Sequence, residues 1–361
     1  MPDFCFSNAK KYKFFFHPFN ALLILCLFFV APSVLYAEVP CASREFRTFT
    51  FYMENDIFAG TDEQYTGGLK LTWSRYGLSK FPEDAWLHSW LYPVVNRLGF
   101  ENIRESEKAL TFSMGQDVYT PNDIEKTELI KDDRPYAGFT YIEIGFHRKL
   151  ENRMHTFGIC AGIVGPHSYA EAFQSAGHDL LNNKEPKGWD HQLKDEPVIC
   201  MIYDYKWKIF ASNINAGVGG DVIFNTGGGI GNVRTYYNIA MMMRWGWNVP
   251  NDCGNFSIQP ATCFNAELKQ SVCGTQKKRF GAHLFFSVGS QLVLHDIFLD
   301  GNTFRDSHSV DKKPVVGVFM GGIGLVYGKI KIVFGYVVRT KSFETQPDAE
   351  VFGSTNISFQ Y

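Results

Sequence analysis

Apolar and polar residues alternate with a period of two through most of the chain. Phe49, Phe51 and Met53 oppose Thr50, Tyr52 and Glu54, and Ile142, Ile144 and Phe146 oppose Glu143, Gly145 and His147. Leu284, Phe286 and Val288 oppose Phe285, Ser287 and Gly289, and Ile330 to Val338 repeats the pattern opposite Lys331, Val333, Gly335, Val337 and Arg339. Period two is the signature of β-strands. It predicts twelve strands, near 45–56, 66–76, 108–118, 138–150, 152–165, 196–209, 212–225, 232–248, 280–296, 314–327, 329–340 and 351–361. The last residues, Thr355 to Tyr361, set Ile, Phe and Tyr against Asn, Ser and Gln and end on an aromatic ring. That pattern suits a strand with one face on lipid and one on a lumen, although the edge of a soluble sandwich would show the same alternation.

The expected fold is all-β: a transmembrane antiparallel barrel of about twelve strands, closed so that no edge is exposed. An even count puts both termini on one side. Connections near 57–65, 119–137, 166–195, 226–231, 297–313 and 341–350 then share the outer end. The inner connections at 151 and 328 are tight turns, whereas 77–107 and 249–279 are long for that side. Within the first of these, Asp84 to Leu91 reads as an amphipathic helix at the inner rim.

Residues 1–37 read as a secretory signal peptide. Lys10, Lys11 and Lys13 precede the apolar run Ala21–Ala31, and Leu35-Tyr36-Ala37 offers a cleavage site. Residues 38–361 are then one barrel domain. No later apolar run is long enough for a membrane-spanning helix. A formal net charge of −2 gives no electrostatic case for nucleic-acid binding. Six cysteines lie beyond the leader. The even spacing of Cys253, Cys263 and Cys273 lacks the CxxC pairs of a zinc site and suggests one local disulfide. Cys160 and Cys200 sit in strand-like runs and read as plain thiols.

Candidate chemistry gathers in three outer connections. The first carries Asn55 and Asp56, then Asp62, Glu63, Tyr65, Thr66 and Gly68. Its carboxylates and amide oxygens are hard donors of the kind calcium takes, and equally are ordinary turn residues. The second carries Gln116, Asp117, Tyr119, Lys126 and Arg134. The two cations suit a lipid phosphate, or simply pair with neighbouring Asp residues. The third holds a predicted helix over 168–181, with Ser168 as N-cap and with Gln174 and His178 on one face. There is no GxSxG elbow, so a His acting on water beside a cation asks for fewer residues than a serine nucleophile.

Taken together, Asn55-Asp56, Tyr65-Thr66 with Gly68, Gln116-Asp117 with Tyr119 and Pro121, and Gly165-Pro166 with Gln174, His178, Trp189 and Gln192 resemble the LpxR family of lipid A 3′-O-deacylases. The resemblance implies a twelve-stranded outer-membrane enzyme. It would use calcium to hydrolyse the ester of the 3′-linked acyloxyacyl chain of lipid A in the outer leaflet, at a site between the barrel wall and a helical outer loop. It further implies His178 as general base and Asp56 as metal ligand, with Asn55 and Thr66 shaping the site. Gln174 would orient His178 or substrate, and Lys126 would contact phosphate; Arg134 joins Lys126 on charge alone. Two positions depart from the family pattern: by spacing, a family Glu falls on Lys184 and a family Tyr on Pro186. The rivals are an outer-membrane phospholipase A-like serine hydrolase and a non-enzymatic porin or adhesin.

Overall fold

The computed structural model describes residues 46–56, 64–78, 81, 88–100, 106–181, 183–213, 217–254 and 280–361. The predicted leader, Cys41, Cys263 and Cys273 lie outside these residues. The strands are β1 (Phe46–Asn55), β2 (Gln64–Leu78), β3 (Glu107–Thr120), β4 (Ala137–Leu150), β5 (Arg153–Val164) and β6 (Glu196–Asn213). They continue as β7 (Val218–Gly231), β8 (Arg234–Trp247), β9 (Phe280–Asp296), β10 (Val315–Tyr327), β11 (Ile330–Arg339) and β12 (Glu350–Gln360). Each pairs antiparallel with its sequence neighbours, and β12 closes onto β1. Every strand thus has a partner on both sides, as a sheet surrounded by hydrocarbon requires. Among the described residues no helix is long and apolar enough to cross a membrane.

The strand plan differs from expectation mainly at β7, which runs six residues further than predicted. Gly227, Gly228 and Gly229 read as a loop but belong to the strand. A Cβ at Gly227 would stand 2.5 Å from the Tyr203 carbonyl, and one at Gly228 would stand 2.5 Å from the Tyr236 carbonyl. Glycine is used here for close backbone approach, and the chain reverses at residues 232–233 instead.

The barrel is polar inside and apolar outside. Trp73, Phe112, Met114, Ile142, Met243, Trp245, Leu284 and Phe286 are exposed on the outer wall, while Lys70, Glu143, His147, Asp204, Lys206 and Arg244 are buried in the lumen. Buried charge must be paired to be tolerated. Lys70 meets Glu143 at 3.0 Å, and His147 lies between the hydroxyls of Thr111 and Thr156, 3.0 Å from each.

Side-chain clusters lie at both ends of the lumen among the described residues. At the loop end, a single-turn helix, Ile297–Asp300, lays Phe298 on Tyr119 with ring centroids 4.0 Å apart, and Arg234 lies over the Phe298 ring at 5.7 Å. At the turn end, the start of the β8–β9 connection folds inward. Asp252 there binds Arg244 and accepts from Lys331 at 2.5 Å, and Arg244 also grips Asp221 at 2.6 Å. Burial alone would push the Asp252 carboxyl up, but the Arg244 and Lys331 charges hold it well below the usual carboxylate range. Cys253 beside it is a buried free thiol. The inner-rim helix predicted at 84–91 is present further along as α1 (His88–Arg97), with residues 82–87 outside those described.

Asp252→Ala leaves Arg244 and Lys331 short of a buried counter-charge and is expected to lower stability by about 3–5 kcal/mol, read as a shift in the urea unfolding midpoint in detergent. Burial pushes the Asp300 carboxyl up, but hydrogen bonds from His295, Lys312 and the Asp296 amide bring it down to about 2 from 3.8. A depressed carboxylate stabilises the fold above its unfolded pKa, and that contribution is lost as pH falls through the folded value. About 2 kcal/mol should therefore disappear between roughly pH 4 and pH 2. An unfolding series across that window should show a smaller acid loss in Asp300→Asn.

Candidate functional site on the outer wall

The third outer connection, residues 165–195, is stapled at its base. Gly165 has φ 108°, and a Cβ there would stand 2.6 Å from the Asp195 amide nitrogen, so only glycine suits the position. The His167 ring meets Asp195 at 2.6 Å, and the His167 amide donates to the same carboxylate at 2.9 Å. These bonds outweigh the upward push of burial and hold the Asp195 carboxyl below its usual range.

From that base a short 3-10 turn, Pro166–Ser168, leads into α2 (Ala170–Leu181). The helix starts two residues later than the sequence predicts, and the Ser168 hydroxyl accepts from the Ala170 amide at 3.4 Å. Gln116 on β3 and Thr140 on β4 both donate to the Ser168 carbonyl at 2.7 Å. In β3 and β4 the odd-numbered side chains enter the lumen, so Gln116 and Thr140 belong to the outward face. Gly138 on that face lies directly under Ser168 and Ala170, and a Cβ there would collide with both. Helix α2 therefore sits on the outside of the barrel wall, against β3 and β4. Val118, Tyr136, Ala170 and Trp189 form the apolar seam between wall and loop.

One face of α2, spaced four residues apart, is buried: Ala170, Gln174 and His178. The Gln174 Oε1 accepts from Trp189 Nε1 at 2.9 Å, whereas its Nε2 is buried without a hydrogen-bond partner. His178 is 5 % exposed, and its Nδ1 hydrogen-bonds to the Lys184 carbonyl. A carbonyl only accepts, so the proton sits on Nδ1 and the lone pair falls to Nε2. Here a main-chain oxygen holds Nδ1 of the imidazole. The Lys184 ammonium meanwhile pairs with Glu125 of the second loop. The Glu125 contact raises the pKa of Lys184, whose side chain is exposed.

The second and third loops are joined further along. Lys187 N donates to Ile124 O at 2.8 Å, Leu193 N donates to Tyr136 O at 2.9 Å, and the Tyr136 hydroxyl donates to Ile124 O at 3.1 Å. Gly188 packs on the Tyr136 ring so closely that no Cβ fits.

The remaining predicted residues fall on the same end of the barrel. Asn55 ends β1 on the outward face, and its Nδ2 lies 3.0 Å from where a Gly67 Cβ would stand. Asn55, Gly67, Val118 and Gly138 are successive partners across β1 to β4. Asn55 thus stands two strands, about 10 Å, from the wall that α2 covers. Asp56 follows it and is 1 % exposed. Thr66 is the extra residue of a β-bulge: Tyr65 pairs with Tyr119 and Gly67 with Val118. The bulge keeps Tyr65 and Gly68 both on the lumen side, with Asp117 Oδ1 close by Gly68.

The two cations part company. Lys126 is exposed at the rim, 3.5 Å from Asp123. Arg134, expected on charge to face a phosphate, is 3 % exposed. It lies between the Tyr119 and Phe343 rings, 5.6 Å from each centroid, and faces Glu350 at 3.8 Å. Charge alone gave no sign of that burial. His308 is tied to the Asp133 carbonyl at 2.7 Å. No three His, Cys, Asp or Glu side chains converge as a metal cluster among the described residues. A cation at Asp56 would rely on main-chain, amide and water oxygens for its other ligands, a donor set that suits calcium. Sequence reasoning did not foresee the Ser168 clamp by Gln116 and Thr140, or the carbonyl on His178, since a main-chain acceptor has no residue type to read.

A closed barrel with a polar lumen, an apolar outer wall and a buried Gln–His pair on a helical loop defines an integral outer-membrane protein with a candidate site on its wall. The family model for outer membrane protein LpxR matches residues 22–361, and the chain belongs to that family. Among solved structures, LpxR from Salmonella typhimurium is similar in fold, with a TM-score of 0.65 at 18 % identity, covering 86 % of this chain and 99 % of that one. The β domain of the Bordetella autotransporter BrkA gives a TM-score of 0.42 at 6 % identity, covering 88 % of this chain and 98 % of that one. Comparison with curated proteins finds no match.

Gly188→Ala should push the 183–193 segment off Tyr136. Limited proteolysis of folded protein in detergent is expected to cut the 165–195 connection faster in this variant, with the barrel itself intact.

Proposed function

We propose that the protein is a lipid A deacylase that hydrolyses the ester of the 3′-linked acyloxyacyl chain from the outer leaflet. The carrying observation is the buried His178, its Nδ1 fixed on the Lys184 carbonyl, on a helix held against the lipid-facing wall. A base in that position meets an ester in the membrane without the lipid leaving its leaflet. The six connections at the loop end face the cell exterior, as in bacterial barrels whose termini lie together on the periplasmic side.

His178 Nε2 takes a proton from water, and the oxygen attacks the ester carbonyl. The tetrahedral intermediate collapses, the 3′ oxygen leaves with the proton from His178, and the acyl chain departs as a carboxylic acid. The Gln174 amide nitrogen has a donor to offer the carbonyl oxygen as charge develops there, and Trp189 on its other end fixes which way the amide faces. Asp56, with Asn55 and the bulged backbone at Thr66, would hold calcium, which supplies further oxyanion stabilisation. Lys126 contacts a lipid A phosphate at the rim. Arg134 braces the barrel mouth through Glu350. A lumen occupied by buried, paired charges argues against a porin.

His178→Ala should lower deacylation by at least about a hundredfold, the usual scale for losing a general base. Removing calcium with a chelator should have a comparable effect that added calcium reverses. Mass spectra of lipid A from cells expressing each form read both results. Unchanged lipid A in cells making the intact, folded protein would remove the proposal.

A further inference from the structure

Away from that site, the lipid-facing wall over β5 to β8 is cut by a groove of about 580 Å³. Its floor is Gly228, whose partners across the sheet are Tyr203 on one side and Tyr237 on the other. Glycine puts no side chain on the wall there, so a trough runs between two half-exposed rings. Each ring has its hydroxyl satisfied by the wall. Tyr203 meets His155 Nδ1 at 2.7 Å, and Tyr237 accepts from Thr226 at 2.7 Å. The rest of the lining is mostly apolar. Met201 and Tyr205 continue it along β6, and Leu98 closes it toward the turn end.

Leu98 comes from the β2–β3 connection, whose described residues reach the outer wall. Phe81, Val95 and Phe100 pack on Phe146 and Phe157 of the outer wall, and Arg148 lies over the Phe100 ring at 5.4 Å. Helix α1 is thus pinned to the lipid-facing side at the turn end. Val94 and Leu98, 44 % and 48 % exposed, extend the apolar wall rather than interrupt it. Below the trough, Arg153 faces outward with its guanidinium over the Trp207 ring at 5.6 Å, and Arg97 is exposed at the end of α1. A stacked guanidinium keeps its in-plane N–H groups for an anion.

We infer that this groove is a binding site for one glycerophospholipid of the leaflet at the turn end, with an acyl chain along Gly228 and the phosphate on Arg153. The occupant follows from what surrounds the groove. It is continuous with the membrane-facing wall, its length is apolar, and a cation stands where the hydrocarbon ends.

The test uses the full-length barrel in detergent, stripped of lipid and then given dioleoylphosphatidylglycerol, with bound lipid counted by native mass spectrometry. One lipid per chain should survive gentle activation. Arg153→Gln should weaken its retention about tenfold, the value of one charge-assisted contact, and Arg153→Lys should recover part of that. Met201→Trp, which fills the trough from a side chain already in lipid, should release the lipid while leaving Arg153 in place. Dioleoylglycerol, which has the chains without the phosphate, should be retained less. Equal retention by every variant, equal retention of the phosphate-free lipid, or no retained lipid at all would each overturn the assignment. The heat-dependent gel shift of a folded barrel identifies any variant that fails to fold, and Arg153→Lys keeps the phosphate arm decidable in that event.

Discussion

A sheet immersed in hydrocarbon cannot leave a backbone hydrogen bond unmade, and the rest of this structure follows from that constraint. Pairing β12 with β1 removes the last open edge. Closure also sorts the side chains. With a period of two, one face of each strand must meet lipid and the other must fill the lumen. The lumen of this protein is charged, and it persists because its charges are paired: Lys70 with Glu143, Arg234 with Asp296, Arg244 with Asp221 and Asp252. Removing one member costs more than the pair contributes, since the partner is left buried and alone.

A lumen filled in this way leaves the outside of the wall as the place for chemistry on a lipid. The fold builds a site there by laying a loop helix against β3 and β4 and clamping its first carbonyl with Gln116 and Thr140. Glycines at 138 and 188 let the loop come into contact, and the carbonyl of Lys184 sets the imidazole tautomer. Each of these is a packing or main-chain device, and together they give an ordinary histidine a defined orientation. The same wall, three strands beyond the loop, carries a trough floored by Gly228 with an arginine toward its lower end.

Much of this was legible from the order of residues. The twelve strands and the side on which each connection lies follow from alternation and parity, once a closed antiparallel barrel is taken as the fold. The clustering of Asn55, Asp56, Thr66, Gln174 and His178 at one end follows from the same count. Local composition misled at Gly227–Gly229, where glycine signals a turn in sequence but serves close strand packing in the fold. It also misled at Arg134, whose charge suggests an exposed anion site but whose guanidinium is enclosed by Tyr119, Phe343 and Glu350.

By itself the sequence determined the class of fold, the strand count and the end of the barrel that carries the polar motifs, since each depends on patterns a few residues long. Only the tertiary structure decided that the helical loop rests on the lipid-facing wall, that a main-chain oxygen meets Nδ1 of His178, and that charged side chains pack together inside the lumen. Those outcomes depend on contacts between segments tens to hundreds of residues apart, and on backbone atoms that every residue type shares. No local pattern encodes them.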